Sequence, residues 1–122
     1  MLSASDLEKI FNAIYKYYKV DENPEITLEA NPDDITEKLL KTLKYRGINR
    51  LSLGVQSFFE KDLKLMNRAH NVDEAKNSIN LVKEYFDNYS IDLIYGMPEM
   101  DLERWQKNLE IALDFDIPHL SC

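Results

Sequence analysis

The stretch Arg50-Leu51-Ser52-Leu53-Gly54-Val55-Gln56 alternates apolar with polar or small side chains. A strand sends successive side chains to opposite faces, so Leu51, Leu53 and Val55 share one face and Ser52, Gly54 and Gln56 the other. Two more stretches read the same way. Glu25 to Ala30 sets Ile26, Leu28 and Ala30 against Thr27 and Glu29, and Ser90 to Tyr95 sets Ile91, Leu93 and Tyr95 against Asp92. Ile117-Pro118-His119-Leu120-Ser121 reads as the start of a fourth strand.

Helical patterns fill the intervals. Ser5-Asp6-Leu7-Glu8 fits a capping box, with Ser5 as the cap and Glu8 reaching back. Leu7, Ile10, Phe11, Ile14 and Tyr18 follow at helical spacing until Asp21-Glu22-Asn23-Pro24 breaks the pattern. Leu39, Leu40 and Leu43 mark a second helix, with Gly47 as a plausible residue just past its end. Glu60 to Met66 predicts a short helix. Asn71-Val72-Asp73-Glu74 caps a longer one that buries Ala75, Ile79, Val82 and Phe86. A last helix from Asp101 to about Phe115 is expected to turn Leu102, Trp105, Leu109 and Leu113 inward. Tyr15, Tyr17 and Tyr18 are expected to cover a helix face, and Met66, Met97 and Met100 to serve packing or loops.

Strands alternating with helices of these lengths predict a parallel α/β sheet built by right-handed crossovers. A doubly wound sheet is covered on both faces, and its strands usually read as near-continuous apolar runs. Here each strand is polar on one side. That pattern fits an open barrel with helices outside and a polar lumen; a sheet whose second face meets water fits it too. The chain is read as one domain, residues 1–122, because no composition shift or low-complexity stretch divides it.

Composition narrows the function. Of the 122 residues 44% are apolar and 30% charged, with three glycines and four prolines, as in a folded globular chain. The net charge of −7 argues against a nucleic-acid partner, since such binding rests on neutralising phosphates. One cysteine, Cys122, leaves no disulfide framework and fits a reducing cytoplasm. No apolar run approaches the ~20 residues of a membrane helix, and no signal or transit peptide is apparent, so a cytoplasmic location is expected. His70 and His119 have no partners at zinc-ligand spacing. Gly47 and Gly54 form no phosphate loop, and no nucleophile elbow occurs.

In parallel α/β folds ligands sit beyond the carboxyl ends of the strands. Glu29 and Gln56 lie at such ends, and Asp92 lies on the polar side of the third strand. The carboxylates can accept hydrogen bonds from an amine or a ribose, and Gln56 can donate and accept.

The order of the segments adds what single residues do not. Glu25-Ile26-Thr27-Leu28-Glu29-Ala30-Asn31-Pro32, Asn49-Arg50-Leu51-Ser52-Leu53-Gly54-Val55-Gln56-Ser57-Phe58, Asn67-Arg68-Ala69-His70 and Ser90-Ile91-Asp92-Leu93-Ile94-Tyr95-Gly96-Met97-Pro98 form one such series. It resembles the oxygen-independent coproporphyrinogen III oxidase family of radical S-adenosylmethionine proteins, including its heme-chaperone branch. The resemblance implies part of a three-quarter (β/α)6 TIM-type barrel whose lumen holds S-adenosylmethionine and a [4Fe-4S] cluster. It implies S-adenosylmethionine contacts at Glu29, Gln56, Arg68 and Asp92, with Arg68 suited to the methionine carboxylate. In the oxidase branch a radical made from S-adenosylmethionine acts on porphyrinogen propionates; in the chaperone branch heme binding and delivery take that place. Gln56-Ser57-Phe58 and Arg68-Ala69-His70 look more like the chaperone branch.

The family's CxxxCxxC cluster motif is absent here, as is its glycine-rich GGTP turn, expected just upstream of Met1. By the resemblance, the last barrel strands and the C-terminal region are also expected to lie outside these residues. The chain is therefore expected to be an internal segment, without cluster or radical chemistry of its own. A different radical S-adenosylmethionine or TIM-barrel enzyme, or a non-catalytic interaction module that has lost the cluster, is the alternative. Exposed sheet edges are expected to favour self-association.

Overall fold

A computed structural model describes residues 3–122. The elements are α1 (Ala4–Tyr17), β1 (Thr27–Ala30), α2 (Glu37–Tyr45), β2 (Arg50–Gln56), α3 (Glu60–Leu65), α4 (Val72–Tyr85), β3 (Tyr89–Leu93), α5 (Leu102–Asp114) and β4 (His119–Ser121), with a 3-10 turn at Pro32–Asp34. The strands form one sheet in the order β1-β2-β3-β4, and every neighbouring pair is parallel. The repeated strand–helix unit read from the sequence is the architecture observed.

The alternation of β2 decides which face the helices cover. Leu51, Leu53 and Val55 are fully buried, as is Ile91 of β3. They join two apolar clusters between sheet and helices. Leu53, Val55, Phe58, Ala75, Ile79 and Ile91 lie in one, and Leu40, Leu43, Ile48, Leu51, Val82 and Phe86 in the other. Truncating a side chain such as Leu53 to alanine removes about 2–5 kcal/mol by lost transfer energy and residual cavity. On the opposite face the sheet is polar. Ser52 Oγ donates to both Asp92 carboxylate oxygens at 3.2 Å, and Arg50 Nη2 donates to Ser90 Oγ at 3.2 Å.

Helix ends follow local chemistry. Asn71 caps α4 in a reciprocal capping box with Glu74. Gly47, at φ +89°, ends α2: its N–H reaches Lys44 O and the Ile48 N–H reaches Leu43 O, closing the last carbonyls. Asn67, at φ +50°, does the same for α3, with the Arg68 N–H on Leu63 O at 2.9 Å.

Several expectations fail at element edges. The capping box of α1 uses Ser3 and Asp6, not Ser5 and Glu8; it lies two residues upstream because the helix starts at Ala4. Tyr18 is the extended C-cap of α1 and is exposed. Ile10 and Ile14 are 43% and 39% exposed, so only Leu7 of that stripe is buried. β1 starts at Thr27 rather than Glu25. β3 runs from Tyr89 to Leu93, which leaves Tyr95 outside the strand and exposed, stacked at a tilt on Trp105. In α5 the inward turn is Asn108 and Ala112, flanked by Trp105 and Leu109. Leu102 and Leu113 are 80% and 74% exposed. The phase of α5 is set by a polar anchor at Asn108, which an apolar-only reading of periodicity passes over. No described helix is long and apolar enough to cross a membrane.

Candidate functional site

The parallel sheet brings the carboxyl ends of β1, β2 and β3 to one side. There Glu29, Ala30, Asn31, Ser52, Gly54, Gln56, Arg68 and Asp92 line an open cup of about 290 Å³. All four residues singled out from the sequence, Glu29, Gln56, Arg68 and Asp92, meet in it.

Each arrives by a different device. Glu29 is the third residue of β1, opposite Ser52 of β2. Asp92 sits on the same polar face of β3 and takes its hydrogen bonds from Ser52. Gln56 closes β2 just past a bulge: Leu53 faces Ile91 but Gln56 faces Leu93, so β2 carries one more residue than β3 there. Gln56 itself has φ +69°, and the Ser57 N–H returns to Val55 O at 2.9 Å across it. Arg68 leaves the end of α3 just beyond Asn67. Its Nη2 donates to Asn31 Oδ1 at 2.7 Å and, more weakly, to Gly54 O at 3.4 Å.

Gly54 is the floor of the cup. A Cβ at this position would lie 2.9 Å from Gln56 Nε2 and 3.4 Å from both Arg68 Nη2 and Asn31 Oδ1. The absence of a side chain is what lets the Gln56 amide close over the strand beside Arg68 and Asn31.

Asn31 and Ser52 were not singled out from the sequence. Ser52 carried a signal, since it shares the polar face of β2 with Gln56. Asn31 stood only as a member of the first segment of the series. His70 has no metal partner within this cup; its ring is buried, and Nε2 lies 3.0 Å from Val55 O, behind the bulge.

The donor set bears on which groups could bind. Two carboxylates and one guanidinium, with amide and hydroxyl groups between them, suit a small polar ligand carrying both cationic and anionic groups. They do not furnish an iron–sulfur site. Such clusters are held mainly by cysteine thiolates, whereas the one cysteine, Cys122, is exposed just past β4. Among the described residues no three His, Cys, Asp or Glu side chains gather as metal ligands.

Parallel strand–helix units with helices on the apolar face and a polar cup at the strand ends define a segment of a (β/α) barrel with a lumenal ligand site. The chain belongs to the Radical SAM superfamily, whose profile matches residues 2–112. Among curated proteins it is 35% identical over 122 residues to the heme chaperone HemW of Lactococcus lactis, a match that covers 99% of this chain and 32% of that protein. It is 45% identical over 96 residues to the mitochondrial radical S-adenosyl methionine domain-containing protein 1 of Dictyostelium discoideum, covering 76% of this chain and 22% of that one. The chain thus spans about a third of the length of the heme chaperones it matches. Among solved structures, coproporphyrinogen III oxidase (HemN) of Escherichia coli superposes with TM-score 0.84 at 26% identity, over 98% of this chain and 29% of that one. The fold is the barrel segment expected from the sequence.

Proposed function

We propose that the cup binds S-adenosylmethionine within a radical S-adenosylmethionine protein of heme or porphyrin metabolism, with the heme-chaperone branch favoured over the oxidase. The observation that carries the reading is the convergence of Glu29, Gln56, Arg68 and Asp92 on one cup from three strand ends and a helix end. Charge supports it. S-adenosylmethionine carries a sulfonium, an ammonium and a carboxylate, the complement of two carboxylates and one guanidinium.

Arg68 uses Nη2 for Asn31 and Gly54. A guanidinium has five N–H donors, so others remain for the ligand carboxylate. Asp92 is held in place by Ser52 and keeps lone pairs for ribose hydroxyls or the ammonium, a task it shares with Glu29. Gln56 can satisfy donor and acceptor at once. In radical chemistry S-adenosylmethionine supplies a 5′-deoxyadenosyl radical when a reduced [4Fe-4S] cluster delivers an electron. The thiolates for that cluster are not among these 122 residues, so the chain alone is read as a binding segment without turnover. The chaperone preference is supported by curated relatives bearing that name at 32% to 38% identity.

Titration of the isotope-labelled chain with S-adenosylmethionine, followed by amide shifts in NMR and with ATP as control, tests the site. Saturable shifts should centre on Glu29, Gly54, Gln56, Arg68 and Asp92, and Asp92→Asn should weaken binding about tenfold, the scale of one charged hydrogen bond. Shifts that fall elsewhere, or none at millimolar ligand, remove S-adenosylmethionine from this cup. For the heme part, a Soret-band titration with hemin is decisive for this segment: no saturable shift removes heme contact from these residues.

A further inference from the structure

Behind the cup lies a polar cluster that the ligand reading does not use. Ser57, Asp62 and Asn108 are each fully buried. Ser57 Oγ donates to Asp62 Oδ2 at 2.8 Å and accepts from Asn108 Nδ2 at 3.2 Å. Asn108 Oδ1 accepts from the Phe58 N–H at 2.7 Å. Asp62 Oδ1 pairs with Arg104 Nη1 at 2.6 Å, and Arg104 Nη2 reaches Glu99 O at 2.7 Å.

These bonds grip Ser57 and Phe58, the two residues that follow Gln56. Gln56 has φ +69°, a backbone region that L-residues with a side chain avoid at roughly 1–2 kcal/mol. A residue in that region relaxes unless its surroundings over-determine it. On one side Gln56 is fixed by β2; its own carbonyl accepts the Ile94 N–H at 2.9 Å. On the other side the buried cluster holds the chain, together with the Ser57 N–H on Val55 O and the packing of Phe58 in the core. A buried carboxylate needs a reason, since desolvation opposes it. Fixing a turn that aims a side chain at a ligand is one.

We propose that Asp62 and Asn108 are positioning residues: through Ser57 and Phe58 they hold Gln56 in its left-handed turn and so aim its amide into the cup. The ligand consequence rests on the S-adenosylmethionine reading above; the mechanical one does not.

Two cycles on the full chain test this. In the first, urea unfolding compares Gln56→Gly in the parent chain and in Asp62→Asn. Glycine accepts the left-handed turn freely, and its unfolded-state entropy cancels between backgrounds. With the cluster intact, the glycine should favour folding about fivefold more than it does with the cluster weakened. Ser57→Ala, nearly the same size, replaces Asp62→Asn if that variant does not fold. Equal glycine effects in both backgrounds overturn the proposal. In the second, S-adenosylmethionine binding is measured. Asp62→Asn should weaken it about fivefold in the parent chain and leave it unchanged when Gln56 is already alanine. Weakening of equal size in both backgrounds overturns the positioning role, because the cluster would then not act through Gln56. Stability coupling with no ligand binding in the parent chain retains the turn mechanism and overturns the ligand reading.

Discussion

Replacing Gly54 with alanine should separate the stability of this chain from its ligand binding. The backbone at Gly54 has no positive φ that would strain an alanine, so the substitution is accepted by the strand. In such a place Gly→Ala raises stability by about 0.4–1 kcal/mol, chiefly by reducing the freedom of the unfolded chain. The new Cβ would sit 2.9 Å from Gln56 Nε2, closer than side-chain carbons are found. That atom ends a flexible side chain, so the amide swings away at little energetic penalty. The distances of 3.4 Å to Arg68 Nη2 and Asn31 Oδ1 are ordinary contacts, so the 2.7 Å bond between those two groups can stay. The two stability effects oppose each other, and unfolding free energy should stay within about 1 kcal/mol of the parent. Binding should suffer more. Displacing the Gln56 amide, a neutral ligand-facing donor, forfeits about 0.5–1.5 kcal/mol, or roughly twofold to tenfold in affinity for S-adenosylmethionine. Urea unfolding and calorimetric titration of the same preparation give both numbers. Parent-like affinity in a folded Gly54→Ala chain would refute the role of the Gln56 amide, held over Gly54, in ligand binding.

Arg68→Leu should weaken binding of S-adenosylmethionine by about tenfold or more while leaving the circular dichroism spectrum unchanged, because its bonds go to the exposed Asn31 side chain and, weakly, to the Gly54 carbonyl rather than into the apolar core; parent-like affinity would remove the carboxylate role. Anaerobic reconstitution of the chain with iron and sulfide should yield no stable [4Fe-4S] absorbance and no cleavage of S-adenosylmethionine, since it has one cysteine; a stable cluster spectrum with cleavage would contradict this. On the acid side, the Ser3 hydroxyl and N–H hold the Asp6 carboxyl below its usual range, and a hydrogen bond from Lys61 does the same for Glu99. The stability each contributes is present above the unfolded-state carboxylate range and is lost as pH falls through the lowered folded value. Carboxyl NMR titrations should therefore show both groups ionising below ordinary Asp and Glu, and midpoints at the ordinary values would be the contrary result. Self-association is expected as well, because β1 and β4 each pair with one described strand and leave an outer edge, and α1 separately exposes Ile10, Ile14 and Tyr15. Sedimentation equilibrium giving a strict monomer at high concentration would show those edges to be protected.

The sheet was legible because its signal is local. Seven residues of β2 alternate, and Leu51, Leu53 and Val55 are buried as the alternation assigned; only the side-chain-less Gly54 of the polar face is buried with them. Helix starts with a side-chain cap at the right offset, such as Asn71 with Glu74, were legible for the same reason. Ends and phases were harder. In α1 two serines stand two residues apart, each with an acidic residue three positions on, and pattern alone does not say which pair closes the box; the helix took Ser3 and Asp6. In α5 the apolar positions Leu102 and Leu113 fit a helical stripe, yet the helix is rotated so that Asn108 faces in. Its Oδ1 meets the Phe58 N–H at 2.7 Å, and leaving that buried N–H unpaired would cost about 1–3 kcal/mol. That bond spans fifty residues, beyond any window in which periodicity is read.

The candidate site divides along the same line. Glu29, Gln56 and Asp92 could be read as neighbours because parallel strands place polar faces and carboxyl ends together. Arg68 could not, since it lies on no strand. Only the segment order, through family resemblance, brought it in; structurally, a left-handed Asn67 turns the chain out of α3 and delivers the guanidinium to Asn31. What stayed wholly hidden is how Gln56 is held. A bulge, a positive φ and a buried Ser57–Asp62–Asn108 cluster leave no periodic trace, and Asp62 reads in the sequence as one more charge on a short helix. Strand ends therefore say where a ligand could sit, while the groups that fix side-chain aim are drawn from helices, Asp62 from the adjacent α3 and Asn108 from the remote α5. If that division is right, Asp62→Asn and Asn108→Ala should alter the amide shifts of Ser57 and Phe58 and the side-chain amide of Gln56 without ligand present. Unchanged Gln56 side-chain resonances in folded variants would mean that β2 and its bulge suffice to set the aim.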